Sequence, residues 1–483
     1  MNGRDIFDGV TDIRDDLIDG AKEVPKKKRR WTRNRWVGAA AVLALAILGG
    51  ILLRPGGGLS AYAIVQAEYP KMARYPSGED QLVEPLYDRW LKDVNAQGRD
   101  LGNTSDLQVF FVQSAQTFLT QSTGENRVYS PLNVYMALAM LAQLTDGESR
   151  EQILTLLGSG SMDKLRQRAS DLWNCNYRDD GAVTSILASS IWLDRDVKFN
   201  RDTMDILAGD FYASSFRGKM GSERFNRTLQ NWLNAQTGGL LEEQAGNIQL
   251  DAQTVLALAS TVCFKAKWSI EFSKSKTELR TFHAPGGDVE TDFMHQRDDQ
   301  IYYWGDKFAA VAQSFKVMSG SMWFLLPDEG VTPEELLTDA QALDFLDFLF
   351  NAGRFTADRR EWENQKFLFV NKAIPKFDVS SQFDLTGGLQ ALGVSDVFDE
   401  TVSDFTPMTT GVDVPIVVGQ VNHAARVMID EEGCTATAFT ELPAAGALPP
   451  PDDEVDFVLD RPFLFCITGI SGLPLFVGVV NVL

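Results

Sequence analysis

The chain has 483 residues, 44% hydrophobic and 23% charged, with 45 Lys and Arg against 66 Asp and Glu for a net charge of −21. That composition is globular and supports a large core, while the acidic excess argues against nucleic acid as a partner, because phosphate binding needs a positive field. Cys175, Cys263, Cys434 and Cys466 are widely spaced with no CxxC pair, and His283, His295 and His423 are the only histidines, so no metal set, cofactor or His-based catalytic centre is expected.

Residues 1–35 hold 10 basic and 7 acidic side chains, in contrast to the acidic remainder. Within them Ile6, Val10, Ile13 and Leu17 recur at helical spacing among Asp residues. This reads as a cytoplasmic segment with a small amphipathic helix, able to dock a cytoplasmic partner. Trp36 to Leu53 is an uncharged, mostly apolar run. At a rise of ~1.5 Å it spans roughly 27 Å, close to a bilayer's hydrocarbon thickness. The dense positive flank Lys26–Arg35 precedes it, and positive charge stays inside. Residues 36–53 are therefore expected as a transmembrane signal-anchor helix. The protein is expected in the cell membrane, single-pass, with its N-terminus cytoplasmic and its main domain extracellular. After a flexible Arg54-Pro55-Gly56-Gly57-Gly58 exit, residues 54–105 read as a juxtamembrane linker, partly ordered against the main domain.

From Asp106 onward the pattern changes. Leu107, Phe110, Phe111, Ala115 and Phe118 form a helical stripe, and Ser130-Pro131-Leu132-Asn133 opens a second helix with Pro in its first turn. Ser149 to Gln152 has the spacing of a capping box ahead of Ile153, Leu154 and Leu157. Thr254–Phe264 and Met322–Leu326 read as buried strands, and Val455–Leu483 as short strands broken by Gly and Pro. Helices come first and strands dominate later, which is an α+β arrangement.

Over residues 106–483 these segments resemble the serpin family of serine protease inhibitors, in the manner of a membrane-anchored, bacterial-type member. The resemblance is carried by Val128–Leu141 (VYSPLNVYMALAML), Thr145–Leu154, Asn231–Leu241 and Ser260–Phe272 (STVCFKAKWSIEF). It continues through Leu326–Glu329, Ile374–Val379, Leu389–Phe398, Val421–Gly433 (VNHAARVMIDEEG), Asp460–Ile467 and Leu473–Leu483. It implies a fold of helices and three β-sheets with an exposed reactive-centre loop. It also implies suicide-substrate inhibition of serine, and by extension cysteine, proteases, in which the cleaved loop inserts into the central sheet and traps a covalent acyl complex with the target protease. The alternative is a non-inhibitory surface binding or scaffold module of the same fold. An enzyme is not expected, for no GxSxG elbow is present.

The resemblance assigns a loop hinge to Glu431, Glu432, Gly433, Cys434, Thr435, Ala436, Thr437 and Ala438, and a scissile bond to Ala447–Leu448. It places Ser130, Asn133, Ser260 and His423 at the pivot where the sheet opens, and Trp268 at the breach. Asn133 and Ser260 stand where the family more often has serine and asparagine, so the pivot network is expected with donor and acceptor exchanged. An inserting loop must bury one face of alternating residues. Here that face is Cys434, Ala436, Ala438, Thr440 and Leu442, free of charge and proline, while Phe439 and Glu441 fall on the face read as outward. An alanine before the scissile bond points to an elastase-like or subtilisin-like target.

Overall fold

A computed structural model describes residues 59–76, 84–101, 104–120, 122, 124–352, 361–411, 416–434, 451 and 453–483. The amphipathic segment, the run Trp36–Leu53, Thr435 to Ala438 of the hinge and the Ala447–Leu448 bond lie outside these residues.

In chain order the first strands are β1 (Ala63–Val65), β2 (Arg127–Tyr129), β3 (Arg178–Asp179), β4 (Thr184–Asp194), β5 (Ala213–Gly218) and β6 (Leu256–Lys267). Next come β7 (Glu278–Ala284), β8 (Gly287–Trp304), β9 (Phe308–Ser314), β10 (Ser321–Pro327), β11 (Gln365–Pro375) and β12 (Phe377–Asp384). The last are β13 (Val418–Ile429), β14 (Gly433–Cys434), β15 (Glu454–Val458), β16 (Phe463–Thr468) and β17 (Pro474–Val480).

Among the described residues these strands make two mixed sheets. The main sheet runs β1-β5-β4-β6-β14-β13-β12, with β3 on β4. The second runs β15-β11-β8-β9-β10-β16-β17-β2, with β7 on β8. Three sheets were expected. The two groups of the second sheet are joined only where Tyr303 and Trp304 of β8 pair with Ala310 and Ala309 of β9, so a short junction turns two sheets into one.

The helix Pro131–Leu144 has all 14 of its residues buried. A helix apolar on every side has to sit inside a core, and this one lies beneath the main sheet, with Pro131 at its N-terminal turn. The stripe Leu107, Phe110, Phe111, Ala115 and Phe118 is buried on the helix Ser105–Leu119. A second apolar cluster lies on the other face of the main sheet, where Phe225, Leu229, Trp232 and Leu233 of the helix Glu223–Gln236 pack on Ala257 and Ala259 of β6. The proposed capping box fails. The helix begins earlier, at Gly147, whose φ of +54° suits glycine, and Ser149 and Gln152 lie inside it.

Residues 59–76 and 84–101, within the stretch 54–105 expected as a linker partly ordered against the main domain, build onto the folded unit. β1 extends the main sheet at β5, and Trp90 of the helix Glu84–Gln97 is 1% exposed. Among the described residues no helix is long and apolar enough to cross a membrane.

Candidate functional site

The central feature is a seam in the main sheet between β6 and β13. At one end the two strands pair directly, Val421 with Leu258 and Asn422 with Ala259. At the other end Gly433 and Cys434 stand between them, Gly433 opposite Lys267, and Cys434 opposite both Ala266 and Ile429. The chain after Ile429 therefore turns back and enters its own sheet for two residues.

Glycine is required at this entry. A Cβ on Gly433 would lie 2.4 Å from the Ala266 carbonyl oxygen and 2.7 Å from the Lys267 Cα. Trp268 holds the turn from beside it: its backbone N–H donates to the Glu432 carbonyl at 3.1 Å and its Nε1–H to the Asp430 carbonyl at 2.8 Å. The indole is fully buried and stacks on Phe315 at 4.9 Å. Burial works against ionising Glu431, yet Lys376 Nζ at 2.8 Å and the Thr277 hydroxyl at 2.8 Å outweigh it and hold its pKa below the usual carboxylate value. The ammonium of Lys274, 2.6 Å from Glu432, lowers that carboxyl too, with Lys267 3.7 Å away. The turn at Glu431 and Glu432 is thus tied down by paired charges and by backbone hydrogen bonds.

At the closed end of the seam the four expected pivot residues meet, although 293 positions separate Ser130 from His423. Ser260 Oγ donates to Asn133 Oδ1 at 2.5 Å, and Ser189 Oγ lies 3.2 Å from Ser260 Oγ. The Ser130 backbone N–H, not its hydroxyl, donates to His423 Nε2 at 3.1 Å. Burial holds the imidazole neutral, with its pKa pushed down to about 4. Among the described residues, Ser130 Oγ and Asn133 Nδ2 are buried without a hydrogen-bond partner. Such a network is half satisfied. The outward face of the seam is covered: Thr261 is 1% exposed and Ala259 and Ala424 are each 8% exposed. No sequence signal marked it, because the covering helix Glu223–Gln236 lies on an earlier stretch of chain. Among the described residues no group of His, Cys, Asp and Glu could hold a metal ion.

A family model described as "Serpin (serine protease inhibitor)" matches residues 106–482. Putative serpin-Z6C of Oryza sativa subsp. japonica is 29% identical over 383 residues, covering 73% of this chain and 89% of its own length. Serpin-ZX of Arabidopsis thaliana is 28% identical over 391 residues, covering 77% and 96%. Among solved structures, Arabidopsis AtSerpin1 in its native stressed conformation superposes with a TM-score of 0.67 at 26% identity, over 80% of this chain and 99% of that one. Tengpin, a thermophilic serpin in the native state, gives 0.68 at 21% identity, over 87% and 98%. These curated relatives are plant serpins and give no support to a bacterial-type, membrane-anchored member. The single-pass cell-membrane placement is withdrawn with it, since no described helix can span a bilayer and Trp36–Leu53 lies outside the described residues.

Proposed function

The chain belongs to the serpin family of serine protease inhibitors, at the family level a family of inhibitors and not of enzymes, and on that premise we propose that it is a suicide-substrate inhibitor that traps its target protease by loop insertion. The attacking serine Oγ adds to the Ala447 carbonyl. The Ala447–Leu448 bond breaks, the Leu448 amine leaves with a proton from the protease's own base, and Ala447 stays esterified to the enzyme. The freed strand then enters the seam between β6 and β13, carrying the protease away before water can complete hydrolysis. Trapping succeeds where insertion outruns deacylation.

The observation that carries this reading is β14, two residues of the loop already placed between β6 and β13. Pairing at the two ends of the seam agrees. The Asn422–Ala259 pair differs by 163 positions, and so do Ile429 and Ala266, the residues flanking Cys434. Insertion then needs the strands to part but not to slide. The small side chain of alanine before the scissile bond supports an elastase-like or subtilisin-like target.

The test is to mix the full chain with subtilisin and with an elastase, then follow denaturing gels and mass spectrometry. The expected result is a complex that survives detergent and a released peptide beginning at Leu448. Clean cleavage with no complex, by either enzyme, would favour the non-inhibitory binding module instead.

A further inference from the structure

The outward face of the seam is not solvent but the floor of an apolar cavity beneath the helix Glu223–Gln236 and the chain that follows it. Leu229, Leu233, Leu241, Ala245, Ala259 and Ala424 are among the residues that line it. Its free volume is about 20 Å³, so nothing of side-chain size fits there while β6 and β13 remain paired. Ala259 and Ala424 stand on the two strands that must separate. Admitting a strand adds roughly 4.8 Å between them, and the cavity has to widen at that point.

The register of β14 says what would arrive. Cys434 stands opposite Ala266 and Ile429. Five residues further along an antiparallel strand, Phe439 falls opposite Thr261 and Ala424. Seven further, Glu441 falls opposite Ala259 and Asn422, the pair that now closes the seam. Residues directly opposite in a ladder share a face. With the register of β14 continued, Phe439 and Glu441 would therefore share the face of Ala424 and Ala259, beneath the covering helix, whereas Ala436 and Ala438 would stand opposite Phe264 and Val262 of the main core.

We propose that this covered face selects among the chain's own loop residues, taking the Phe439 ring into the cavity as it opens and resisting the Glu441 carboxylate one step later. The inference rests on the insertion reading and refines it. A ring of that size replaces lost packing as the strands part, and the transfer of apolar surface favours it. A carboxylate entering the same largely apolar surroundings has to shed its water. Insertion is thus driven as far as Phe439 and braked at Glu441, and the second position sets how far and how fast the strand completes.

The experiment compares the full chain with Phe439→Ala and Glu441→Leu, each before and after loop cleavage by a metalloprotease, which forms no acyl-enzyme to be trapped, with the cut site checked by mass spectrometry, by the guanidinium chloride midpoint of unfolding. Before cleavage the three midpoints should coincide. After cleavage the wild type should rise, Phe439→Ala should fall short of that rise by ~0.5 M, and Glu441→Leu should exceed it by a similar amount. Equal gains for all three would overturn the inference while leaving insertion standing. A wild type with no gain on cleavage would overturn the insertion reading itself, and the two failures are thereby distinct.

Discussion

His423 is buried among Tyr129 and Phe383, whose rings lie 5.5 Å from its own, and its one described hydrogen bond comes from the Ser130 N–H. An accepting Nε2 fixes the neutral tautomer, and desolvation pushes the pKa down to about 4. In the unfolded chain the same ring titrates near 6.5. As pH falls below that value the unfolded state takes up a proton that the folded state refuses. The folded pKa is depressed, so stability is complete above the unfolded value and is lost going down towards the folded one. Between pH 7.5 and pH 5 the loss should be ~2 kcal/mol from this residue. Denaturant unfolding at the two pH values measures it, and the His423→Gln variant should show a drop smaller by that amount. An identical drop in both proteins would remove His423 as the source. The residue's location was legible through the resemblance. That it receives a backbone N–H and not the Ser130 hydroxyl was not, because that choice is set by how the helix Pro131–Leu144 is seated under the sheet.

At the scale of elements, β14 depends on one absent side chain. A Cβ at position 433 meets backbone atoms of Ala266 and Lys267, which cannot swing away as a flexible side chain could. Gly433→Ala should therefore expel the two-residue strand and release the hydrogen bonds from Trp268 to Glu432 and Asp430. Hydrogen exchange at the Trp268 amide and indole N–H should then speed up at least tenfold, about 1.4 kcal/mol of local protection. Unchanged protection would mean that the turn is held by its ion pairs alone. Periodicity gave the helices and the buried strands because it reports one element at a time. Ser149 to Gln152 carries the spacing of a cap, yet these side chains serve distant backbone: Ser149 Oγ accepts from the Asp404 N–H, and Gln152 Oε1 accepts from the Ser395 and Asp396 N–H groups. The capping box that does form, Thr332 with Glu335, opens a helix of four residues with little apolar pattern to announce it. The junction of β8 with β9 and the cover over the seam are pairings between elements, and local pattern does not encode them.

For the whole molecule, the family match begins at residue 106, but the folded unit does not. Trp90 is 1% exposed and its Nε1–H donates to Asp180 Oδ2 at 2.8 Å, while the Tyr75 N–H donates to the Asp180 carbonyl at 2.9 Å. Tyr69 packs on Trp173 at 5.2 Å, and the Tyr177 hydroxyl donates to the Pro70 carbonyl at 2.8 Å. β1 pairs with β5 at Phe216 and Ser215. Every one of these partners lies on the β6 side of the seam, so the described residues of 59–76 and 84–101 bind one half of the main sheet and its flanking helix Met162–Asn176 into a single block. A chain beginning at Asp106 exposes the surface that Trp90 and Tyr69 cover and leaves the Asp180 carboxylate short of a donor. Removing a buried Trp costs ~3–5 kcal/mol, while the Asp180 carboxylate, opened to water, exchanges its indole donor for hydration. The truncated chain should unfold at clearly lower denaturant than the full chain. Trp90→Phe keeps a six-membered ring but deletes the N–H with the rest of the indole inside the full chain, where Asp180 stays buried, and it should lose at least the ~1–3 kcal/mol of a buried acceptor deprived of its donor. If the chain from Asp106 unfolds at the same denaturant concentration as the full chain, residues 59–101 contribute no stability, and the boundary drawn from the family alone would be the physical one.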